Sequence, residues 1–480
     1  MQAGRAPAGQ WPFVSVVILN YNGRQYLEDC LSSVERVDYP HERLETILVD
    51  NASSDGSVDL VAERFPRVRL IRNQDNLGFA GGNNAALRGT EGDYIALLNN
   101  DTKVEADWLK ELVLAAEADQ SIGACTSKIV FLRDRVTLEI ESGVLCPADL
   151  SGSPDAHQLG VTVTPVEVAG LPAGKGFHFG AGFCGENHTP EGAFRWMSGL
   201  GRMAVEVPEG AEALTVRLRL GLGMPDGLPP VPVKVRVGGH EVASFPVSRD
   251  SSGQPYDIVI PRSGLAGACR VIQNAGSLLL RDGSGKDRGD CSADGVVRHE
   301  EDQGQYDSAQ EVFSFCGASA LLRRRMLDDV GLLDESFFVY YEDTDLAWRA
   351  RLRGWKIVYV PTSLVRHVHC GTSGEWSPFF IFHVERNRLS MLLKNAPLGL
   401  AGACSARYLW DTLGLWRQSF ESGLRRDRAG ARSASGQALM RTRVLAAVAW
   451  RLPRLLWKRA AIRRGRRLDD AEIVRWMVEP

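Results

Sequence analysis

No stretch of this 480-residue chain reaches the roughly 18 consecutive apolar residues that a membrane span needs. The opening "MQAGRAPAGQWP" likewise lacks the apolar core of a secretion signal. The nine cysteines are scattered, odd in number and without a CxxC pair, which excludes a disulfide framework and fits a reducing compartment. Large net charge is also missing: a formal balance of -3 argues against whole-surface attraction to nucleic acid. There is no internal repeat, and the glycine-rich "GFAGGNN" has neither Rossmann nor Walker spacing. These absences leave a globular, cytoplasmic chain with no nucleic-acid partner. With 44% hydrophobic and 24% charged residues, its composition is that of folded soluble proteins, and its length predicts two or three domains.

From Phe13 the sequence alternates short β-rich runs with helical segments: "FVSVVILN", a helix through Tyr26 to Val34, "LETILVD", "RVRLIR" and "YIALL". That alternation predicts a parallel sheet covered on both faces, with ligands bound beyond the carboxyl ends of the strands. The residues just after those ends are polar: "NYNG", "DNASSDGS", "NQDNLGFAGGNN" and "NNDT". From about Arg133 to Ala268 the helical period vanishes, and Gly and Pro punctuate short alternating runs, as in an all-β sandwich. The α/β character then returns, and beyond about Pro397 the chain is helical and basic. The expected domains are 1–132 and 269–395 as two halves of one α/β unit, 133–268 as an inserted sandwich, and 396–480 as a helical extension.

Taken singly, the candidate residues read as turns and caps. Asp50 closes a strand and can accept from a nucleobase or ribose, or form an Asx-turn. "GFAGGNN" can admit a diphosphate close to the backbone, or simply be a loop leading into a helix. Asn99 and Asp101 stand two apart and offer a carbonyl oxygen and a carboxylate to Mg²⁺ or Mn²⁺, an ion that commonly takes its remaining ligands from water and substrate phosphate. Glu342, Asp343 and Asp345 enter a predicted amphipathic helix behind the aromatic run "FFVYY"; a carboxylate crowded by acids and rings keeps enough basicity to take a hydroxyl proton. His367 and His369 follow another strand, with no cysteine or third histidine to complete a zinc set.

Together, "SVVILNYNG", "ILVDNASSDGS", "NLGFAGGNNAAL", "YIALLNNDT", "GASALLRRRMLDDVGLLDESFFVYYEDTDLAWRARLRGW" and "VRHVHCGTS" resemble glycosyltransferase family 2 and its rhamnosyltransferase-like bacterial members with the GT-A fold. The resemblance covers roughly residues 13–132 and 269–395. It implies transfer, with inversion, of a sugar from a nucleotide diphosphate donor (dTDP-rhamnose or a UDP- or GDP-hexose) to a glycan or lipid-linked hydroxyl in bacterial surface polysaccharide synthesis. It implies that Asn20, Asn22, Asp50 and Asn100 line the nucleotide pocket, and that Asn76 to Asn84, with Gly78 and Asn83, form a wall of the donor site. The family's DXD metal motif corresponds to Asn99, Asn100 and Asp101, here "NND". His367 corresponds to the metal-side histidine, Asp343 to the general base, Glu342 to a supporting acid and Asp345 to a helix-start residue.

The sandwich presents Phe183, Arg195 and Trp196, which can stack on sugars as in a carbohydrate-binding module or serve as packing. "SPDAHQLGV" and "FRWM" resemble features of sandwiches in related transferases. In the tail, "RTRVLAAVAWRLPRLLWKRAAIRRGRR" has no acid before Asp469, and it reads either as peripheral contact with the inner membrane or as a helix packed on the catalytic domain. Arg386 and Arg388 are candidate phosphate ligands. The rival reading is a catalytically inactive carbohydrate-binding scaffold; a glycoside hydrolase ranks third, because paired carboxylates alone leave the polar strand ends unexplained.

Overall fold

The computed structural model describes residues 11–144, 146, 160–189, 192–222, 229–248, 250–291, 298–368, 377–425 and 428–479. The chain forms two compact units: Met1–Leu132 with Ile272–Asp290 and Gln303–Pro480, and Arg133–Val271 with Cys291–Asp302.

The first unit is built on β1 (Val14–Asn20), α1 (Arg24–Val34), β2 (Leu44–Asp50), α2 (Ser57–Arg64), β3 (Arg69–Arg72), α3 (Gly78–Leu87), β4 (Tyr94–Asn99), β5 (Thr102–Val104), α4 (Trp108–Ala118) and β6 (Ile122–Phe131). After the excursion into the second unit come β7 (Ile272–Asn274), β8 (Gln310–Glu311), β9 (Ser319–Arg323), α5 (Arg324–Val330), α6 (Glu342–Leu352), β10 (Lys356–His367), α7 (Pro378–Asn395), α8 (Leu398–Leu424) and α9 (Arg428–Gly465). The sheet order is β8-β10-β6-β9-β4-β1-β2-β3, with β7 on β6 and β5 on β10. Alternation along β1 divides its side chains between the sheet's faces. Val14, Val16 and Ile18 join a core with Leu27 and Leu31 of α1 and Leu109 and Leu112 of α4. Val17 joins the opposite core with Ile47, Val49, Leu346 and Ala350.

Three expectations change here. The sheet is mixed: β1 to β4 run parallel, but β9 lies antiparallel between β4 and β6, so Ser319 pairs with Leu98 and Ala320 with Thr126. The glycine-rich segment is the start of α3 itself. Glycine is needed there because a Cβ on Gly82 would collide with Leu19 of β1, and Gly78 has a φ of +70° with the Phe338 carbonyl against it. Finally, α6 is not amphipathic. From Glu342 to Leu352 only Asp343 and Thr344 escape full burial, and Arg349 and Arg351 survive inside by donating to the carbonyls of Val330, Leu332 and Phe313.

The second unit, taken by itself, has two five-stranded antiparallel sheets sharing one core, to which Leu138, Ile140 and Val235 contribute from one sheet and Val163, Leu218 and Ile258 from the other. Its chain composition differs from the expected 133–268. Residues 269–271, 291 and 298–302 belong to it as well, because Val271 bridges to Glu301 and the Asp302 N–H donates to the Arg270 carbonyl at 2.8 Å. Phe183 packs edge-on against Phe179 with centroids 4.8 Å apart, and the Arg195 guanidinium lies over the Phe179 ring at 5.0 Å. "SPDAHQLGV" lies mostly outside the described residues.

Candidate active site

Strand ends bring the polar residues together. Asn20 ends β1 beside Asp50 at the end of β2, and their in-register pairing sets side chain against side chain. The Asn20 amide donates to Asp50 Oδ1 at 3.3 Å and to Ser53 Oγ at 3.1 Å, while its oxygen accepts from Asn100 Nδ2 at 2.7 Å. Asp50 Oδ2 accepts from the Ser53 N–H at 3.1 Å. Asn22, at a φ of +50°, takes the Ser54 N–H on its side-chain oxygen at 2.8 Å. Asn20, Asp50 and Asn100 are buried, so this is a fixed polar floor.

A second wall is organised by Asn51, which sequence reasoning passed over. Its amide donates to Asn76 Oδ1 at 3.2 Å and to the Gly78 carbonyl at 3.0 Å, and its oxygen accepts from Asn73 at 2.8 Å. Asn83 donates to the Phe79 carbonyl of its own helix at 2.9 Å, which commits its amide to the helix.

The turn after β4 splits "NND" between two places. Asn100 points to Asn20, whereas Asn99 and Asp101 point to His367, the last residue of β10, because β5 pairs Thr102 with His367. His367 Nε2 lies 3.0 Å from Asp101 Oδ1 and 3.4 Å from Asn99 Nδ2. Behind it, His367 Nδ1 lies 2.7 Å from Gln273 Oε1, so the Nδ1–H donates to a buried amide supplied by β7. In the neutral ring that leaves the Nε2 lone pair facing a carboxylate oxygen, a pair of donors that a cation between them would satisfy. At 3.0 Å the two atoms are close enough for one ion to touch both. One carboxylate and one imidazole suit Mg²⁺ or Mn²⁺, whereas Asn99, expected as a third ligand, turns its amide nitrogen toward His367, and an NH₂ group has no lone pair for a cation. Among the described residues no group of three or more His, Cys, Asp or Glu side chains is placed to hold a metal ion, and His369 lies outside them.

Asp343 reaches the same strand ends by another route. Its Oδ2 accepts from the Gly317 N–H at 3.1 Å, and the next residue, Ala318, accepts from the Asn99 N–H at 3.0 Å. Two successive residues leading into β9 thus carry Asp343 on one side and the metal-side turn on the other. Burial pushes the Asp343 carboxyl up, against the N–H groups of Thr344 and Gly317 that favour its charge. Burial pushes Glu342 higher still, with Asp343 adding repulsion, and Glu342 Oε2 is buried with no hydrogen-bond partner. Asp345 begins the same helix but has a larger part: its carboxylate meets Arg349 at 2.9 Å and Lys394 at 2.7 Å.

The acids are aimed by a strained turn. Phe338, Tyr340 and Tyr341 all have φ near +70°, a region that side chains with a Cβ rarely enter. One side chain holds the turn: Asn387 of α7 donates to the carbonyls of Phe337, Val339 and Tyr340 at 3.0, 2.8 and 2.7 Å. Arg386 adds a bond to the Phe337 carbonyl at 2.7 Å, and Arg388 is committed to Glu385 and the Asp282 carbonyl. Both candidate phosphate ligands of "HVERNRLSMLLKN" thus spend donors within the protein. Asn387 carried no sequence signal beyond its neighbourhood.

Residues 15–143 match the family model described as glycosyl transferase family 2, and residues 292–383 match glycosyl transferase family group 2. An uncharacterized glycosyltransferase of Haemophilus influenzae is 28% identical over 137 residues, which is 28% of this chain and 40% of that one. The poly(ribitol-phosphate) beta-N-acetylglucosaminyltransferase TarS of Staphylococcus aureus is 28% identical over 100 residues, 20% of this chain and 18% of its own. This chain thus spans 40% or less of the length of these curated relatives. The solved mannosyltransferase PcManGT of Pyrobaculum calidifontis, in complex with GDP-Man and Mn²⁺, aligns over 94% of this chain and 89% of that one at 14% identity and a TM-score of 0.38. The matched spans carry Asn20, Asp50, Asp101, Asp343 and His367, and over 15–143 the chain is similar to glycosyl transferase family 2.

Proposed function

We propose that the protein is an inverting glycosyltransferase that moves a sugar from a nucleotide diphosphate donor to a hydroxyl of a glycan or lipid-linked acceptor in bacterial surface polysaccharide synthesis. The observation that carries this reading is the meeting of Asp101 and His367 Nε2 at 3.0 Å, at strand ends that also anchor Asp343 through Gly317. The floor of Asn20, Asp50 and Asn100 offers donors and acceptors to a base and ribose, and the Asn51-braced wall at Asn76 and Gly78 borders the donor. Asp101 and His367 would hold Mg²⁺ or Mn²⁺, which when bound would supply Lewis-acid stabilisation of charge on the leaving diphosphate.

Gln273 keeps the imidazole proton on Nδ1 and so leaves Nε2 free to ligate. Asp343, ionised, accepts the acceptor's hydroxyl proton as that oxygen attacks the anomeric carbon opposite the departing diphosphate. Its raised basicity suits that proton transfer, and the hydrogen bonds from Gly317 and Thr344 fix its orientation. Burial pushes the Glu342 carboxyl up, toward its neutral form, so that less negative charge stands beside Asp343. Donors of the dTDP-rhamnose, UDP-hexose and GDP-mannose classes fit this account. The test is incubation with Mn²⁺ and a panel of these nucleotide sugars. Slow release of nucleoside diphosphate from one donor, absent in Asp343→Asn, supports the proposal; no release from any donor with an intact fold favours the inactive scaffold.

A further inference from the structure

The helices α8 and α9 form an antiparallel hairpin whose inner sides are buried and whose outer sides are unusually apolar. Arg441 marks the inner side: its guanidinium lies 4.0 Å from the centre of the Tyr408 ring, and both residues turn inward. Trp416 marks one open side, since its indole N–H donates to Thr442 Oγ1 at 3.1 Å across the hairpin while both side chains stay exposed. On α8, Leu413 and Phe420 flank Trp416 at helical spacing, three and four residues away. On α9, Trp450 and Trp457 are seven residues apart and so share one side, roughly 60–80° round the helix from Thr442 at 3.6 residues per turn. Phe420 is 70%, Trp450 88% and Trp457 71% exposed, and Trp410, at 76%, opens roughly a third of a turn round α8 from Trp416. Single exposed apolar residues are ordinary; four aromatic rings this open on one helix pair mark a contact surface.

Charge says what the surface meets. Between Arg428 and Leu468 there is no Asp or Glu. Several of these cations face inward, where Lys458 pairs with Asp334 and Arg459 donates to the carbonyls of Leu393 and Ala396. Arg443, Arg454 and Arg464 are exposed on the outer side, among the tryptophans. A second copy docked through this face by a two-fold axis would set these arginines against one another. Trp at the edge of an apolar layer, with Arg heads reaching past it, is instead the pattern that suits the interface of an anionic bilayer. Among the described residues no helix is long and apolar enough to cross a membrane, so the contact is one of lying on the surface.

We infer that the outer face of the α8–α9 hairpin docks on an anionic phospholipid surface, with Trp416, Phe420, Trp450 and Trp457 entering the interface and the outward arginines of α9 meeting the headgroups. This stands independently of the transfer reaction.

The test is co-sedimentation of the full chain with vesicles of phosphatidylcholine alone and with about a third phosphatidylglycerol. The expected result is a partition at least about ten-fold higher on the anionic vesicles, falling about ten-fold in Trp450→Ser/Trp457→Ser and in Arg443→Gln/Arg454→Gln, and weakening with salt. Brominated lipid should also quench the tryptophan emission of the unaltered protein, a readout that needs no variant. Equal binding to both vesicles, no quenching, or folded variants that bind undiminished would overturn the inference. So would a concentration-dependent dimer lost in the tryptophan variant while vesicle binding persists.

Discussion

The buried Gln273 Oε1, 2.7 Å from His367 Nδ1, favours the proton on that nitrogen of the ring. Replacing it with Leu removes that control while keeping the side chain buried, and Mn²⁺ affinity should fall about 10- to 100-fold by calorimetric titration, with the fold unchanged by circular dichroism. Asp343→Asn tests the neighbouring role: turnover should drop about 10²- to 10⁴-fold while donor affinity stays level. The sign of its pH dependence follows from burial. Because burial raises this carboxyl, the base ionises only above the ordinary aspartate range, so kcat/KM should climb with pH through a value above 3.8, and the Asn variant should lose that limb. The placing of Asp101 and His367 at strand ends was legible in the sequence, because an apolar run that turns polar marks such an end. Gln273 was not, since it reaches His367 only through the pairing of β7 with β6, formed after the chain returns from the second unit.

At the scale of elements, the turn from Phe337 to Tyr341 stores backbone strain and α7 holds it. Asn387→Ala would leave three carbonyls without their shared donor, at a cost of about 1–3 kcal/mol. The melting temperature should fall, and kcat should fall more than the KM for the donor, because the turn aims Glu342 and Asp343 rather than binding nucleotide. The aromatic-acidic run told where the turn lies, but its left-handed residues were invisible, since Phe and Tyr at such φ values are held by tertiary bonds against their own preference. The same limit hid the helical start of α3. Glycines read as loop until Leu19 and Phe338 are seen pressed against them. β9 read as one more strand in an alternating series, and only its partners on both sides reveal that it runs antiparallel.

At the scale of the molecule, the first unit is fastened to its own C-terminal helices by a buried charge hub. Asp334 meets Lys394 of α7 at 2.7 Å and also pairs with Lys458 of α9. Burial would raise its carboxyl, but the two lysines together hold it well below the usual carboxylate range, even though burial lowers Lys458 in turn. A depressed carboxyl stabilises the fold above its unfolded pKa and loses that contribution as pH falls through the depressed value. Asp334→Asn should therefore lower the melting temperature at neutral pH, with the difference from the unaltered protein shrinking as the solution is made strongly acidic. The alternation of strands and helices, and the switch to short β runs near Arg133, were plain in the sequence. That Glu301 and Asp302 pair with Val271 and Arg270 was not, because the link is made by backbone groups that any residues carry.

The central claim is that Asp101 and His367 grip one divalent ion beside a bound diphosphate. Mn²⁺ titration followed by electron paramagnetic resonance, with and without nucleoside diphosphate, tests it most directly. The account predicts one ion per chain, tightened by the diphosphate and weakened at least about ten-fold in both Asp101→Asn and His367→Leu. Unaltered Mn²⁺ binding in both folded variants would contradict it.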